Sequence, residues 1–226
     1  MNKKNLNNKK IKFITCEVVL DEIKDRIPAS WQIKSFEKRL HERSDELRAN
    51  LQNEINLSQD YDLIILGYGL CGKSVEGLVS EKTLMVIPKC DDCISLLLGS
   101  ADEYRKQIKN VPGTYYLTRG YIGESENPML SNYDQMIEKY GEDTLKWILS
   151  EMLKNYSRLV FINTGNYEPK TWREIAISQA NNLGLKFEEI KGTDEYFKML
   201  LNCDWKNSHF LIIKPGQKVK FEMFLP

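Results

Sequence analysis

Residues Tyr61 to Ser100 read YDLIILGYGLCGKSVEGLVSEKTLMVIPKCDDCISLLLGS. Two apolar runs of strand length lie in this stretch, Leu63 to Leu66 and Leu84 to Ile87. Each empties into a loop of unusual composition. Gly67, Gly69, Cys71 and Gly72 follow the first run, and Cys90, Asp91, Asp92 and Cys93 follow the second. A strand with one face in water alternates apolar and polar residues. Short, fully apolar runs spaced by helix-length segments instead indicate parallel strands buried on both faces. Ligands of such sheets bind outside the carboxyl ends of the strands, where these two loops are expected.

The same alternation extends in both directions. Ile11 to Thr15 reads as a first buried strand, and Val18 to Arg26 has helical apolar spacing that Pro28 stops. Trp31 to Phe36 alternates as a second strand. Ser44 is expected to cap a helix carrying Leu47, Leu51 and Ile55. Helices are also expected to begin at Ser74 to Val79 and at Ile94 to Leu98. Pro112 and Gly113 mark a turn, after which Thr114 to Thr118, Leu159 to Ile162, Phe187 to Ile190 and Phe210 to Ile213 read as strands. Between them, Tyr133 to Tyr156 reads as a long amphipathic segment, Trp172 to Leu183 as a helix with Gly184 at its C′ position, and Glu195 to Leu201 as another. The expected fold is α/β, a mainly parallel sheet with helices on both faces. It is organised as two Rossmann-like halves, residues 11–111 and 112–226, behind a disordered basic tail at residues 1–10.

Composition narrows the function classes. In 226 residues, 42% hydrophobic and 28% charged side chains fit an ordinary globular protein. The 32 basic and 32 acidic residues cancel, so no overall field favours nucleic acid or an anionic membrane. The segment Ile11 to Thr15 is too short for a signal-peptide core, and no apolar run reaches membrane-spanning length, so a cytoplasmic protein is expected. Its five cysteines are then expected to be reduced, which favours metal or redox chemistry over a disulfide framework.

Two site readings compete within the loops. Gly67 to Ser74, GYGLCGKS, matches the phosphate-loop pattern G-x-x-x-x-G-K-[ST], in which backbone amides cradle phosphates and the lysine reaches the terminal one. The same residues match G-x-G-x-x-G with Asp91 and Asp92 about twenty residues on, so Gly67, Gly69, Gly72 and Asp92 are candidate cofactor-binding residues. No later strand ends directly in an acidic residue suited to a second magnesium contact, and the motif follows the third strand instead of the first. The other reading rests on thiols. Cys16, Cys71 and Cys93 each follow a different strand within a few residues, so adjacent parallel strands would bring them to one sheet edge. Three thiolates suit an iron–sulfur cluster with one open iron or a cysteine-rich zinc site. Cys90, in a C-x-x-C with Cys93, is a candidate fourth ligand and His41 a nitrogen ligand; Cys203 reads as structural. Tyr116 and Thr118, with Tyr115 and Arg119, would line the same cleft if the halves faced each other, and Asn163 to Gly165 end a strand in a polar turn. With two histidines in the chain, no nucleophile–base arrangement emerges from spacing.

The segments ITCEVVLDEI, YDLIILGYGLCG, PKCDDCISLLLGS, PGTYYLTRGY and FLIIKPGQ together resemble an uncharacterised bacterial and archaeal domain-of-unknown-function family found beside corrinoid-dependent methyltransferases of anaerobes. The resemblance spans residues Ile11 to Gln217. It implies that Gly67 to Gly72 are the recurrent part, with Lys73 and Ser74 incidental. It also implies that Asp92 and Cys93 matter more than Cys90. The leading expectation is a metal- or iron–sulfur-binding protein of corrinoid or one-carbon metabolism built on Cys16, Cys71 and Cys93. The alternatives are a phosphate-loop nucleotide-binding enzyme and a non-catalytic partner of a corrinoid protein or methyltransferase.

Overall fold

The two apolar runs form strands β3 (Leu63–Gly67) and β4 (Leu84–Pro88), buried at every residue except the partly exposed Leu84. They pair in parallel, Leu63 against Leu84 and Ile65 against Val86. β1 (Ile11–Cys16) lies parallel on the other side of β3, and β2 (Gln32–Phe36) lies parallel beyond β1. The far edge is β8 (Phe210–Ile213), antiparallel to β4, which gives the order β2-β1-β3-β4-β8. This is a computed structural model, and it describes residues 8–122, 133–206 and 208–225.

The first unit, Met1–Ala101 with Asp194–Pro226, holds this sheet. Its helices are α1 (Glu17–Ile23), α2 (Ser44–Leu57), α3 (Cys93–Leu98) and, late in the chain, α9 (Glu195–Asn202). Leu47, Leu51 and Ile55 form one stripe of α2 because four-residue spacing keeps side chains on one helical face. That stripe packs against Ile14, Ile64, Leu66, Met85 and Ile87 of the sheet, joined by Val75, Leu78, Val219 and Phe224. The second unit, Asp102–Thr193, has its own parallel sheet of β5 (Thr114–Leu117), β6 (Arg158–Asn163) and β7 (Lys186–Lys191), in that order. Its helices are α4 (Ala101–Asn110), α5 (Arg119–Ile122), α6 (Tyr133–Tyr140), α7 (Glu142–Leu153) and α8 (Lys170–Asn182). Leu117, Leu159 and Phe161 pack with Ala176 and Ala180 of α8 in a separate core. Among the described residues no helix is long and apolar enough to cross a membrane.

The mainly parallel α/β architecture agrees with the alternation read from the sequence, and several details differ. The expected division at residue 111 gives way to one in which α9 and β8 return to the first unit. Residues 71–77 form turns where a helix is expected from Ser74. Val75 and Leu78 are buried there at helical spacing, but Gly77 N and Val219 N bond to Val219 O and Leu78 O respectively, each at 2.9 Å, so a distant segment supplies the partners. The amphipathic segment from Tyr133 holds two helices, separated at Gly141, whose φ of 78° suits glycine. Ser44 opens α2 as its first helical residue and makes no cap; Arg43 precedes it. The tail at residues 1–10 falls largely outside the described residues.

Candidate functional site

Because β1, β3 and β4 are adjacent and parallel, their carboxyl ends share one edge of the first sheet. Cys16 is the last residue of β1. Gly67 ends β3, with Tyr68 and Cys71 just beyond it, and Pro88 ends β4 ahead of Cys90 and Cys93. Two backbone bonds stitch the loops together, Leu70 N to Cys90 O at 2.9 Å and Cys71 N to Asp91 O at 2.8 Å. Gly69 permits this approach, since a Cβ there would lie 2.7 Å from Cys90 O and 2.9 Å from Cys90 Sγ.

The next three residues turn left-handed in succession, with φ of 45° at Cys71, 63° at Gly72 and 70° at Lys73. Left-handed residues normally occur singly, and each non-glycine one costs on the order of 1–3 kcal/mol. The turn is held from both sides. Arg48 of α2 donates to Lys73 O at 3.0 Å, Ser74 Oγ donates to Cys71 O at 2.6 Å, and Lys73 Nζ lies 4.9 Å from the Phe221 ring centroid. Strain of this kind persists where the surroundings over-determine it, and it clusters at functional sites. On the β4 side, Asp92 caps α3: its Oδ1 accepts from Ile94 N at 2.9 Å and Ser95 N at 3.4 Å, which fixes Cys93 as the first helical residue.

Some of the thiols influence one another. Burial pushes the Cys16 thiol up to about 11, with Glu17 adding to the shift; the Val18 and Val19 amides and Lys38 act against it. Burial raises Cys71 well above the usual thiol range, followed by the influence of Cys93, Asp92, Cys90 and Cys16. Burial also raises Cys90, followed by Asp92, Cys93 and Asp91. Tyr68 packs with Cys16 and Cys71. It is 3% exposed, and its phenol is pushed up by burial and then by Cys16, Cys71, Cys93 and Glu17. Among the described residues its hydroxyl meets no hydrogen-bond partner, and Ser95 Oγ, two residues from Cys93, is likewise unpartnered. A buried donor without an acceptor costs about 1–3 kcal/mol.

Thiols are ligands that soft cations select. A bound cation would lower the pKa values of thiols that otherwise oppose one another's ionisation. Among the described residues, however, no three His, Cys, Asp or Glu side chains form a group that could hold a single metal ion. Cluster ligands need not converge on one point, because each binds a different iron.

The remaining sequence candidates occupy other places. His41 is exposed on a short 3-10 helix, Lys38–Glu42, where its Nδ1 bonds to Lys38 O. Cys90 is buried against Gly69, with its Sγ 3.5 Å from Asp92 O. Tyr116 and Thr118 belong to the second unit: the Tyr116 ring packs edge-on to Tyr104 at 5.8 Å, and Thr118 is fully buried beyond β5. Cys203 is buried at the end of α9. A phosphate cradle at Gly67 to Ser74 finds less support. The Leu70 and Cys71 amides already bond to the β4 loop, and the helix such a loop leads into is replaced by turns. Tyr68 is the site residue that sequence reasoning passed over. Its signal was position: an aromatic hydroxyl between two glycines, directly past the end of a buried strand.

The sequence model of a family described as "Protein of unknown function (DUF1638)" matches residues 35–201. No curated protein and no solved structure gives a significant match.

Proposed function

Given that the chain belongs to the DUF1638 family of unknown function, we propose a function from the site itself: the first unit binds a soft, thiophilic metal centre through Cys16, Cys71 and Cys93. One observation carries the reading. Cys16, Cys71 and Cys93 stand at or just past the carboxyl ends of three neighbouring parallel strands, beside the buried Tyr68, whose hydroxyl has no hydrogen-bond partner among the described residues. An iron–sulfur cluster suits the arrangement better than a zinc ion, since its ligands sit farther apart. Cys16 and Cys93 would be held by regular structure, the end of β1 and the start of α3, and Cys71 by the strained turn. Asp92 orients Cys93 through its cap, and Gly69 lets the two loops meet. With three protein ligands, the centre would offer one open position for Lewis-acid chemistry on a bound molecule.

Metabolism of one-carbon units is the setting that the sequence resemblance suggests, with a corrinoid protein or a methyltransferase as the partner. Anaerobic purification, followed by iron, sulfide and zinc analysis and absorption spectroscopy, tests the metal reading. Stoichiometric metal with thiolate-to-metal absorption is the expected result. A colourless protein that takes up neither iron nor zinc on anaerobic reconstitution would refute it.

A further inference from the structure

The second unit has a parallel-sheet edge of its own, which the thiol site does not use. β6 and β7 pair with Phe161 beside Glu189 and Asn163 beside Lys191. Alternate residues of a strand share a face, so Asn163, Glu189 and Lys191 stand together at the carboxyl ends of these two strands. Phe161, on that same face, packs with Ala176 and Ala180 of α8. A cavity of about 490 Å³ lies there, lined by Asn163, Gly165, Glu189 and Lys191. Sites for small organic molecules span about 300–1,000 Å³, and sheets of this kind bind their ligands at this edge. The polar turn from Asn163 to Gly165, singled out in the sequence, forms one wall. No atom lies within 4 Å of where a Cβ of Gly165 would stand, so that wall is open backbone.

The charge of Glu189 is already compensated. Arg173 of α8 donates to its Oε2 at 2.5 Å and its Oε1 at 2.8 Å, and Asn163 Nδ2 donates to Oε1 at 2.9 Å. A carboxylate has about four acceptor positions, so Oε2 keeps room for a further donor. Asn163 Oδ1 accepts from Gly165 N at 3.1 Å, which leaves this side-chain amide a further N–H and a further lone pair. Lys191 is exposed beside them and enters no ion pair among the described residues. With Arg173 and Glu189 cancelling, the lining keeps a net positive charge on that ammonium. A cationic ligand would meet this charge and gain little from a carboxylate that Arg173 already neutralises. An anion is complemented by Lys191, and hydroxyl groups by Asn163 and Glu189. We propose that the cavity binds a small polyhydroxylated anion, a sugar phosphate or a sugar acid, with its charged group on Lys191 and its hydroxyls on Asn163 and Glu189. Binding is non-covalent. The site lies wholly within the second unit and does not rest on the metal reading.

Calorimetric titration of the whole chain tests this with ribose 5-phosphate and gluconate, set against neutral ribose and inorganic phosphate. At least one of the two organic anions is expected to bind. Binding of ribose 5-phosphate alone would identify the charged group as a phosphate ester, and binding of gluconate alone as a carboxylate. Ribose lacks the charge and inorganic phosphate the sugar body, so each should bind about tenfold more weakly or not at all. Lys191→Met should weaken the bound anion about tenfold, the lower end of the range for a hydrogen bond to a charged group. Its melting temperature should match wild type, because Lys191 is an exposed residue at a strand end. Three results would overturn the proposal: neither organic anion binding, inorganic phosphate binding as tightly as ribose 5-phosphate, or Lys191→Met retaining wild-type affinity.

Discussion

Replacing Gly69 with alanine should separate the two cysteine-bearing loops. The added Cβ would lie 2.7 Å from Cys90 O, 2.9 Å from Cys90 Sγ and 3.0 Å from Asp92 N, and two of these are backbone atoms that cannot rotate away. Relief requires the loops to part, which breaks the bonds from Leu70 N to Cys90 O and from Cys71 N to Asp91 O. Overpacking of this kind costs about 1–3 kcal/mol and each backbone bond about 1 kcal/mol, so the variant should lose about 3–5 kcal/mol. For a chain of this length, that lowers the melting temperature by about 6–20 °C. Gly72→Ala is the comparison: its φ is 63°, yet the nearest atom to its Cβ is Ser44 Cβ at 3.9 Å, so it should cost only about 1–2 kcal/mol in backbone strain. Circular dichroism melts of both variants measure the difference. A Gly69→Ala protein within 0.5 kcal/mol of wild type, about the scatter of a neutral surface change, would show that the loops do not meet as described.

Stability should fall with rising alkalinity. The Cys16 thiol has an ordinary value of 9.0 and is held at about 11 in the fold, so between these values the unfolded chain has shed a proton that the folded chain retains. The contribution is complete below pH 9 and is lost as pH rises through 11; Cys71 and Cys90, also raised, act in the same direction. Urea unfolding across that window should show the decline, with a shallower slope in Cys16→Ala, and equal slopes would contradict the assignment to this thiol. In the second unit, Arg158 links Glu188 at 2.5 Å, Gln107 at 2.8 Å and Thr114 at 2.8 Å. Arg158→Met should cost about 2–4 kcal/mol by removing these three bonds from a largely buried guanidinium, and Arg158→Lys should restore little because it lacks the planar fork. A thermal melt of either variant superimposing on wild type would contradict this.

What was legible in the sequence was local. Leu63 to Leu66 and Leu84 to Ile87 declare themselves as buried parallel strands because every position is apolar, and Gly184 ends α8 as a C′ glycine should, with φ of 67°. Pairings between distant segments were illegible. Nothing near Val75 and Leu78 reveals that Val219 will satisfy their neighbours' backbone groups, so their spacing imitates a helix. Nor does Phe210 to Ile213 announce that it will return to β4. The adjacency of β1, β3 and β4, on which a common edge for the strand-end cysteines depends, appears in the sheet order. Tyr68 escaped notice because the cost of an unpaired hydroxyl appears only when burial and partners are known together.

The most direct test of the shared site is the metal content of single cysteine variants after identical anaerobic reconstitution with ferrous iron and sulfide. Wild type and Cys203→Ser, whose thiol is buried at the far end of α9, should each take up one centre per chain. Cys16→Ser, Cys71→Ser and Cys93→Ser should each lose it. A Cys16→Ser protein with the full wild-type iron content and spectrum would contradict the claim that the three strand ends build one site.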